Sequence, residues 1–275
     1  MSDSAATRYA DELKAWRRHL GVTQQEFADR IGHSLALVGA VEQCNRSPSP
    51  TFAAACDAAT GAPGTFTRWQ AQVVQESYPA FFAPVVEFER SAARIHSWDL
   101  GAIPGLLQTP DYARAIVQAS QPTSSAEDVE RTVEARMGRQ EILSAGNAPM
   151  LWYVIHEGVL RHVIGGTGIM ASQLDQLLDS IARPGVMVQV LPFTANDHAG
   201  VEGPIVVYEF DDAPSVGYTE CHRGGRIIEA QTEVADLMVV LAMLRASALP
   251  VRESAALIRQ VRSSYSERQL EMGES

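Results

Sequence analysis

Two histidines and two glutamates in the last third of the chain have side chains suited to acid–base catalysis or metal binding. His198 and Glu202 share one loop. Glu220 ends a predicted strand that also contains Tyr218, and His222 follows that strand. Loops at strand ends often form pockets, so these five residues are candidate ligand-binding residues. Neither an HExxH motif nor a close His-x-His spacing is present, which favours structural roles over catalysis or metal binding.

A glycine-rich segment, GGTG at 165–168, precedes a predicted helix. Such a backbone at a helix N-terminus can hold a phosphate group. The segment lacks the Lys-Ser/Thr pair of a P-loop and the spacing of a dinucleotide-binding fingerprint, so a plain turn is the favoured interpretation. We therefore predict no cofactor and no metal, and the residue pattern leaves open whether the chain is an enzyme.

Composition is typical of a folded soluble protein, with 46% hydrophobic and 20% charged residues in a chain of 275. The three cysteines are odd in number and widely spaced, which argues against a disulfide framework or a paired-cysteine zinc site. No apolar stretch reaches the length of a membrane span, and residues 1–10 lack an apolar signal region. We therefore predict a cytoplasmic protein with no membrane partner.

The elements that must position the functional side chains are clearest between residues 23 and 48. Thr23 and Glu26 match the Ser/Thr-x-x-Glu pattern of a capping box, and Gly32 suits a left-handed helix end. Ser34 is a candidate N-cap for a second helix, whose apolar positions recur at helical spacing. The pattern predicts two short helices joined by a tight turn.

The segment TQQEFADRIGHSLALVGAVEQCNRSP at 23–48 resembles the XRE (Cro/repressor-like) helix-turn-helix family, and the likeness extends over about residues 10–62. Glycines, caps and core positions agree together, although Cys44 stands where the family usually has glycine. In that family the first turn of the second helix enters the major groove of double-stranded DNA. The resemblance implies DNA contacts by Gln24, Leu35, Ala36 and Leu37. The full set of predicted DNA-binding residues is Arg17, Arg18, Thr23, Gln24, Gln25, Ser34, Leu35, Ala36, Leu37, Asn45 and Arg46.

The surface that should contact the bases departs from the family pattern. Leu35, Ala36 and Leu37 have no donor or acceptor, whereas direct readout pairs Arg or Lys with guanine and Asn or Gln with adenine. Residues 1–60 carry six basic and seven acidic side chains, and the whole chain has a net charge of −11. Because DNA-binding domains are usually basic, we expect weak DNA binding dominated by the phosphate backbone.

The predicted elements favour an α+β class, with an N-terminal all-α helix-turn-helix domain at 8–62, a junction at 63–84, and a larger mixed α/β domain at 85–268. The larger domain resembles the uncharacterised C-terminal domain that follows XRE modules in many actinomycete regulators. That resemblance implies a domain that binds a ligand or a small partner protein, without a defining catalytic motif. The likeness is carried by PGLLQTPDYARA at 104–115, VQVLPF at 188–193 and HAGVEGP at 198–204.

Together these features predict a cytoplasmic, homodimeric transcription regulator whose C-terminal domain binds a small-molecule or small-protein effector. A dimer would compensate for weak binding by a single helix-turn-helix. The alternative is a repurposed protein that no longer reads DNA and whose C-terminal pocket binds a metabolite or catalyses a step in specialised metabolism. A third hypothesis is a protein–protein module in which Leu35 and Leu37 contact a partner.

Overall fold

The computed structural model describes residues 4–76, 78, 81–221 and 224–273. The chain forms two compact units. The helical unit comprises Met1–Ala83 with Ser125–Gly138, and the sheet unit comprises Pro84–Ser124 with Arg139–Ser275. A segment from the middle of the chain therefore contributes to the helical unit, although the sequence analysis placed it in the C-terminal domain.

Helices account for most of the regular structure. In chain order they are α1 (Ala5–His19), α2 (Gln24–Ile31), α3 (Leu35–Glu42), α4 (Pro50–Thr60), α5 (Thr65–Glu76), α6 (Ala83–Ser91), α7 (Pro110–Ser120), α8 (Ala126–Arg139), α9 (Glu157–Arg161), α10 (Thr167–Ile181), α11 (Gln231–Ser247) and α12 (Val251–Gly273). Two short 3₁₀ turns lie at Gly105–Leu107 and Gln140–Ser144. Within the described residues no single helix is long and apolar enough to cross a membrane; α11 and α12 to Ser266 meet that test only as a pair bent by 68°.

The core of the helical unit forms where the apolar faces of α1 to α5 meet. Tyr9, Phe27, Phe52 and Phe66 are fully buried there, and the rings of Tyr9 and Phe66 meet edge to face with centroids 5.5 Å apart. Burial of one large apolar side chain contributes about 1.5–3 kcal/mol. Since Phe66 lies on α5, this helix packs as part of the helical unit, whereas the sequence analysis assigned it to the junction.

Local signals set the ends of α2 and α3. The Thr23 side chain accepts the N–H of Glu26, and the Glu26 carboxylate accepts the N–H of Thr23 at 2.8 Å. Gly32 ends α2 at φ 69°, a left-handed conformation that glycine adopts without steric cost. Ser34 caps α3 by accepting the N–H of Leu37 at 3.2 Å. The structure therefore confirms the predicted capping box, the glycine end and the second cap.

Helix α3 ends at a residue in the left-handed conformation that is not glycine. Cys44 has φ 59°; its N–H donates to the Val41 carbonyl at 3.1 Å, and the N–H of Asn45 donates to the Ala40 carbonyl at 2.8 Å. These two bonds form a Schellman motif. A residue with a side chain pays about 1–2 kcal/mol for this conformation. The backbone conformation thus suits glycine, although the residue is cysteine.

A mixed six-stranded sheet forms the centre of the sheet unit. Its strands are β1 (Arg94–Asp99), β2 (Met150–His156), β3 (Val186–Leu191), β4 (Ile205–Glu209), β5 (Val216–Cys221) and β6 (Gly224–Ile228). The order is β3-β2-β1-β4-β5-β6, in which β1, β2 and β3 are parallel and the other neighbours antiparallel. The sequence predicts strands within 92–100 and at 150–155, 186–191, 204–210, 215–220 and 226–228. Each of these segments forms a strand with nearly the same boundaries, and the α+β class is confirmed.

Helices α11 and α12 complete one side and one edge of the sheet. Trp98 and Val207 of the sheet belong to one apolar cluster with Leu241 and Leu244 of α11. At the edge strand β3, Val190 donates its N–H to the Ser254 hydroxyl of α12 at 2.9 Å. Because an open strand edge invites pairing with other chains, this bond protects part of the edge of β3.

Candidate nucleic-acid interface and the polar face of the sheet

Glu42, the last residue of α3, is the polar centre of the helical unit. Its side chain is 3% exposed, and its carboxylate accepts hydrogen bonds from Arg17 Nε and from Gln24 Nε2, each at 2.7 Å. Arg17 also donates through Nη1 to the Val22 carbonyl at 3.1 Å. Because the donors lie on α1 and at the start of α2, Glu42 fixes three helices in one arrangement.

The charge state of this cluster follows from its hydrogen bonds. Burial raises the pKa of Glu42, but the hydrogen bonds from Arg17 and Gln24 outweigh it, so the pKa lies below its ordinary value. The hydrogen bond to Glu42 also raises the pKa of Arg17, against the opposing effect of burial. Arg17 and Gln24, both predicted to contact DNA, therefore direct these donors to Glu42 inside the protein.

The first turn of α3 presents apolar groups to solvent. Leu35 is 43% exposed, Ala36 is exposed, and Leu37 is half-buried against the core of the helical unit. The hydroxyl of the exposed Ser34 serves as the helix cap. This turn is therefore open to a partner, and its side chains provide surface contact without base-specific hydrogen bonds.

Polar residues beside this turn are held by short-range contacts. Gln25 donates to the Asp29 carboxylate at 2.8 Å, and Asn45 donates to the Gln43 side chain at 3.1 Å. Thr23 also donates its hydroxyl to Glu26 at 2.9 Å. Each is exposed apart from these local bonds, so a phosphate could replace a weak exposed contact at modest cost.

Of the three predicted DNA-binding arginines, Arg18 and Arg46 have exposed side chains. Arg18 and Arg46 form no ion pair within 4.0 Å among the residues that the structure describes. Glu134 of α8 accepts the N–H of Ser47 at 3.4 Å and interacts electrostatically with Arg46. Arg18 and Arg46 are therefore the cations of the predicted surface that remain free to bind phosphate.

The predicted ligand-binding residues of the sheet unit lie apart. The His198 ring packs on Trp98 with centroids 5.5 Å apart. Trp98 pairs across the sheet with Ile205, and Ile205 pairs with Thr219, so the three side chains lie on one face. Because side chains alternate along a strand, Tyr218 and Glu220 of β5 lie on the opposite face. Glu202 is exposed in the loop after β3, and His222 lies outside the described residues. His198 therefore lies on the opposite face of the sheet from Tyr218 and Glu220.

His198 instead has a different neighbour at the end of β2. The rings of His156 and His198 lie 6.1 Å apart, and each accepts a backbone N–H through Nδ1 at 3.2 Å, from Gly158 and Gly200 respectively. Burial, with a smaller effect of His198, lowers the pKa of His156. These bonds give both histidines local structural roles, and the only sequence signal was a histidine two residues before a glycine.

The opposite face of the sheet carries polar groups of which only Tyr218 and Glu220 were among the predicted ligand-binding residues. Ser97 and Asp99 lie on the same face as Tyr153 and Tyr208 by strand register. Both tyrosines are nearly buried, and among the described residues no hydrogen-bond partner is found for either hydroxyl. Ser97 donates its hydroxyl to the Asp99 carboxylate. We call Ser97, Asp99, Tyr153, Tyr208 and Tyr218 the polar face.

A buried ion pair lies beside the polar face. Glu89 of α6 accepts from Arg139 Nε at 2.7 Å and from Arg139 Nη2 at 2.5 Å. Both side chains are at most 8% exposed, and both affect the titration of Tyr153 and Tyr208. Two-point pairing of this kind fixes the guanidinium plane as well as its position.

Family comparison agrees with the architecture described above. A model described as a helix-turn-helix domain matches residues 8–69. A model described as Domain of unknown function (DUF5753) matches residues 82–260, which is more than half of the chain. The chain belongs to the DUF5753 family. Both resemblances inferred from the sequence are confirmed, and neither a curated protein nor a solved structure matches the chain.

Asp99 gives the DUF5753 domain a group that titrates near neutral pH. Burial raises the pKa of Asp99 to about 7, Glu220 adds to the effect, and the hydrogen bond from Ser97 opposes it. The folded protein therefore binds this proton more tightly than the unfolded chain does. As pH rises from the ordinary value of 3.8 to about 7, ionisation of Asp99 removes stability.

Substitution Asp99→Asn is expected to abolish this pH dependence. At pH 4 the variant and the wild type should unfold at similar denaturant concentrations. As pH rises from 4 to 7 the wild type should lose stability, so the variant becomes the more stable of the two. Above pH 8 the gain should be constant at roughly 2 kcal/mol or more. Urea unfolding at several pH values measures it, with exposed Asp212→Asn as the control. An equal effect of the two variants would contradict the assignment.

Proposed function

We propose that this DUF5753 protein is a cytoplasmic, DNA-binding transcription regulator. The observation that carries the proposal is the α2–α3 pair. Its two helices are fixed by Glu42, and the first turn of α3 stays open to solvent. A pair of short helices with an exposed second helix is the arrangement that places side chains in the DNA major groove.

The proposed mode of recognition depends on the phosphate backbone. Leu35 and Ala36 offer apolar contact, such as to a thymine methyl, and no base-edge hydrogen bond. Arg18 and Arg46 supply the charge, and the N-terminal amides of α2 and α3 can donate to phosphates. We expect low affinity for a single copy and a strong dependence on salt. Two copies on adjacent half-sites would raise the affinity.

The proposed effector site is the polar face of the DUF5753 domain. Its support is the presence of Tyr153 and Tyr208 hydroxyls without a hydrogen-bond partner among the described residues, beside an Asp99 that is partly protonated at neutral pH. A bound polar ligand would supply hydrogen-bond partners for these two hydroxyls. A small molecule with several hydrogen-bonding oxygens or nitrogens fits them better than a small partner protein does.

DNA binding can be tested by fluorescence anisotropy with duplexes from the DNA around the protein's own gene. Wild-type protein should bind at low salt, with an affinity that falls steeply as salt rises. The double variant Arg18→Ala/Arg46→Ala removes two expected phosphate contacts. It should weaken binding at least tenfold and lower the slope of log affinity against log salt by about 2.

The matched control is Arg252→Ala/Arg259→Ala, which removes the same charge from exposed positions on α12. It should bind DNA like the wild type. Equal loss in both double variants would mean that only net charge matters, and absence of binding at low salt to every such duplex would refute the proposal.

A protein–protein role is the second candidate, and exposed Leu35 favours it. A partner held by an apolar contact would remain bound at high salt, because ion screening has little effect on apolar burial. Capture of a partner at 1 M salt that is lost in Leu35→Asp would support this role over DNA binding.

A further inference from the structure

Asp99 lies at the end of β1 in a recess of the protein and not in packed core. Desolvation has the largest effect on its carboxylate and raises its pKa to about 7, yet the residue is only half-buried and keeps contact with solvent. A carboxylate that protein surrounds and solvent still reaches lines a cavity or a deep pocket. Asp99 is therefore placed to contact a small molecule that enters this recess.

The hydroxyls of Tyr153 and Tyr208 belong to the same recess. Tyr153 is 3% exposed and Tyr208 is 2% exposed, and among the described residues neither hydroxyl has a hydrogen-bond partner. Unlike the Tyr9 hydroxyl, neither oxygen is sealed from solvent. Burial raises the pKa of both tyrosines, the charge of Asp99 adds to the effect on Tyr153, and Tyr153 adds to the effect on Tyr208. Two hydroxyls and one carboxylate are therefore close enough to share a ligand.

The described charges around Asp99 leave its carboxylate without an internal cation. Glu220 is the one charged side chain among them that acts on the Asp99 pKa, and it adds to the rise that desolvation causes. The Arg139 guanidinium beside this face donates to Glu89 through Nε and Nη2. The other titratable and charged groups at this face, among the described residues, are Tyr153, Tyr208, Tyr218, Glu89, Arg139 and Glu220. A carboxylate in such surroundings favours a positively charged ligand.

Aromatic rings border the same recess. The centroid of the Phe88 ring of α6 lies 5.7 Å from that of the Tyr208 ring and 6.2 Å from that of the Phe210 ring. The electron-rich faces of such rings attract a cation and repel an anion. The rings and the carboxylate therefore favour the same charge on a ligand.

We propose that the polar face binds a small molecule through a primary or secondary ammonium group, which pairs with the Asp99 carboxylate. The N–H groups of the ammonium donate to Asp99 and to the hydroxyl oxygens of Tyr153 and Tyr208. A quaternary ammonium lacks these donors, and a carboxylate or phosphate would be repelled by Asp99. The inference rests on the effector site proposed above, and it adds the charge and the donor groups of the ligand.

The first test follows thermal unfolding of the full chain with three probes of one length, namely n-butylamine, butan-1-ol and butyrate. At pH 8 the amine is cationic, the alcohol is neutral and the acid is anionic. At about 10 mM the amine should raise the melting temperature of the wild type by about 1 °C or more, because a ligand of the folded state stabilises it by mass action. The alcohol and the acid should raise it by less than about half as much.

Two variants show whether the amine acts at Asp99. Asp99→Asn keeps the shape of the side chain and removes its charge, so the amine should no longer raise the melting temperature. Asp212→Asn removes an exposed carboxylate and should respond to the amine as the wild type does. Because the chain has a net charge of −11, this pair of variants separates binding at Asp99 from general attraction of a cation to the surface.

The second test repeats the amine measurement at pH 6 and pH 8. The pKa of Asp99 is about 7, so the carboxylate must lose its proton to pair with the cation at pH 6 and is already ionised at pH 8. Affinity should therefore be about tenfold higher at pH 8, seen as a larger rise in melting temperature, while the amine itself stays protonated at both values. A ligand that accepts a hydrogen bond from protonated Asp99 would show the opposite dependence.

The ammonium assignment fails if butan-1-ol or butyrate gives the larger rise and Asp99→Asn removes it, in which case the effector site stands with another class of ligand. It also fails if the amine acts equally on the wild type and on Asp99→Asn. If no probe acts on the wild type, both the ammonium assignment and the effector site at the polar face are refuted, while the DNA-binding proposal keeps its own test.

Discussion

Substitution Glu42→Ala is expected to destabilise the helical unit by roughly 3–5 kcal/mol, because it leaves the Arg17 guanidinium half-buried without its carboxylate. Arg17 and Gln24 would each lose an acceptor at 2.7 Å. Since the carboxylate joins three helices, α3 should lose its fixed position together with its stability. Hydrogen exchange of the amides in Leu35–Glu42 reports this loss locally, and DNA affinity should fall with it.

Asp11→Ala is the matched control for Glu42. It removes a carboxylate from the same unit, where Asp11 forms an exposed pair with Lys14 at 3.3 Å. Exposed pairs contribute at most about 1 kcal/mol, so exchange in α3 should be unchanged. Similar exchange in both variants would show that Glu42 does not hold the three helices together.

Substitution Glu89→Ala is expected to destabilise the DUF5753 domain by roughly 3–5 kcal/mol. It leaves Arg139 buried without its two-point partner, and an uncompensated buried charge is costly. Replacing both residues, as Glu89→Leu/Arg139→Met, removes both charges and keeps similar volume. The double variant should therefore be more stable than Glu89→Ala, as measured by urea unfolding of the full chain.

The control for this pair lies on the same helix. Glu87 pairs with Arg90 at an exposed position, and Glu87→Ala should change stability by less than about 0.5 kcal/mol. If Glu89→Ala behaved like Glu87→Ala, the buried pair would contribute little to the fold. If the double variant were the less stable one, the buried ion pair would stabilise the fold by more than its apolar replacement does.

Local signals allowed much of the helical unit to be predicted. The capping box at Thr23, the end at Gly32 and the cap at Ser34 each depend on residues no more than four positions apart, so sequence spacing suffices to recognise them. The buried partner of Arg17 was not predictable in this way. Glu42 lies 25 residues away, and spacing alone does not show which acidic side chain will be buried.

In the sheet unit too, local features were predictable from the sequence and long-range contacts were not. Apolar and alternating segments predicted the strands, because a half-buried strand has a period of two residues. Their order in the sheet depends on long-range pairing. His198 and Tyr218 were grouped because one follows a late strand and the other lies in one. A shift of one residue along a strand moves a side chain to the other face of the sheet, and these two residues lie on opposite faces.

The amino-acid sequence by itself determined the helix-turn-helix, the strand positions and the family, since these depend on short-range caps, periodicity and matched motifs. Only the tertiary structure decided which polar groups are paired inside the protein and which can contact DNA or a ligand. It directs Arg17 and Gln24 to Glu42, leaves Arg18 and Arg46 exposed, and gathers Asp99 with two tyrosines on one sheet face. The physical reason is burial, because desolvation makes a polar side chain pair with its nearest partner in space, whatever their separation in the chain.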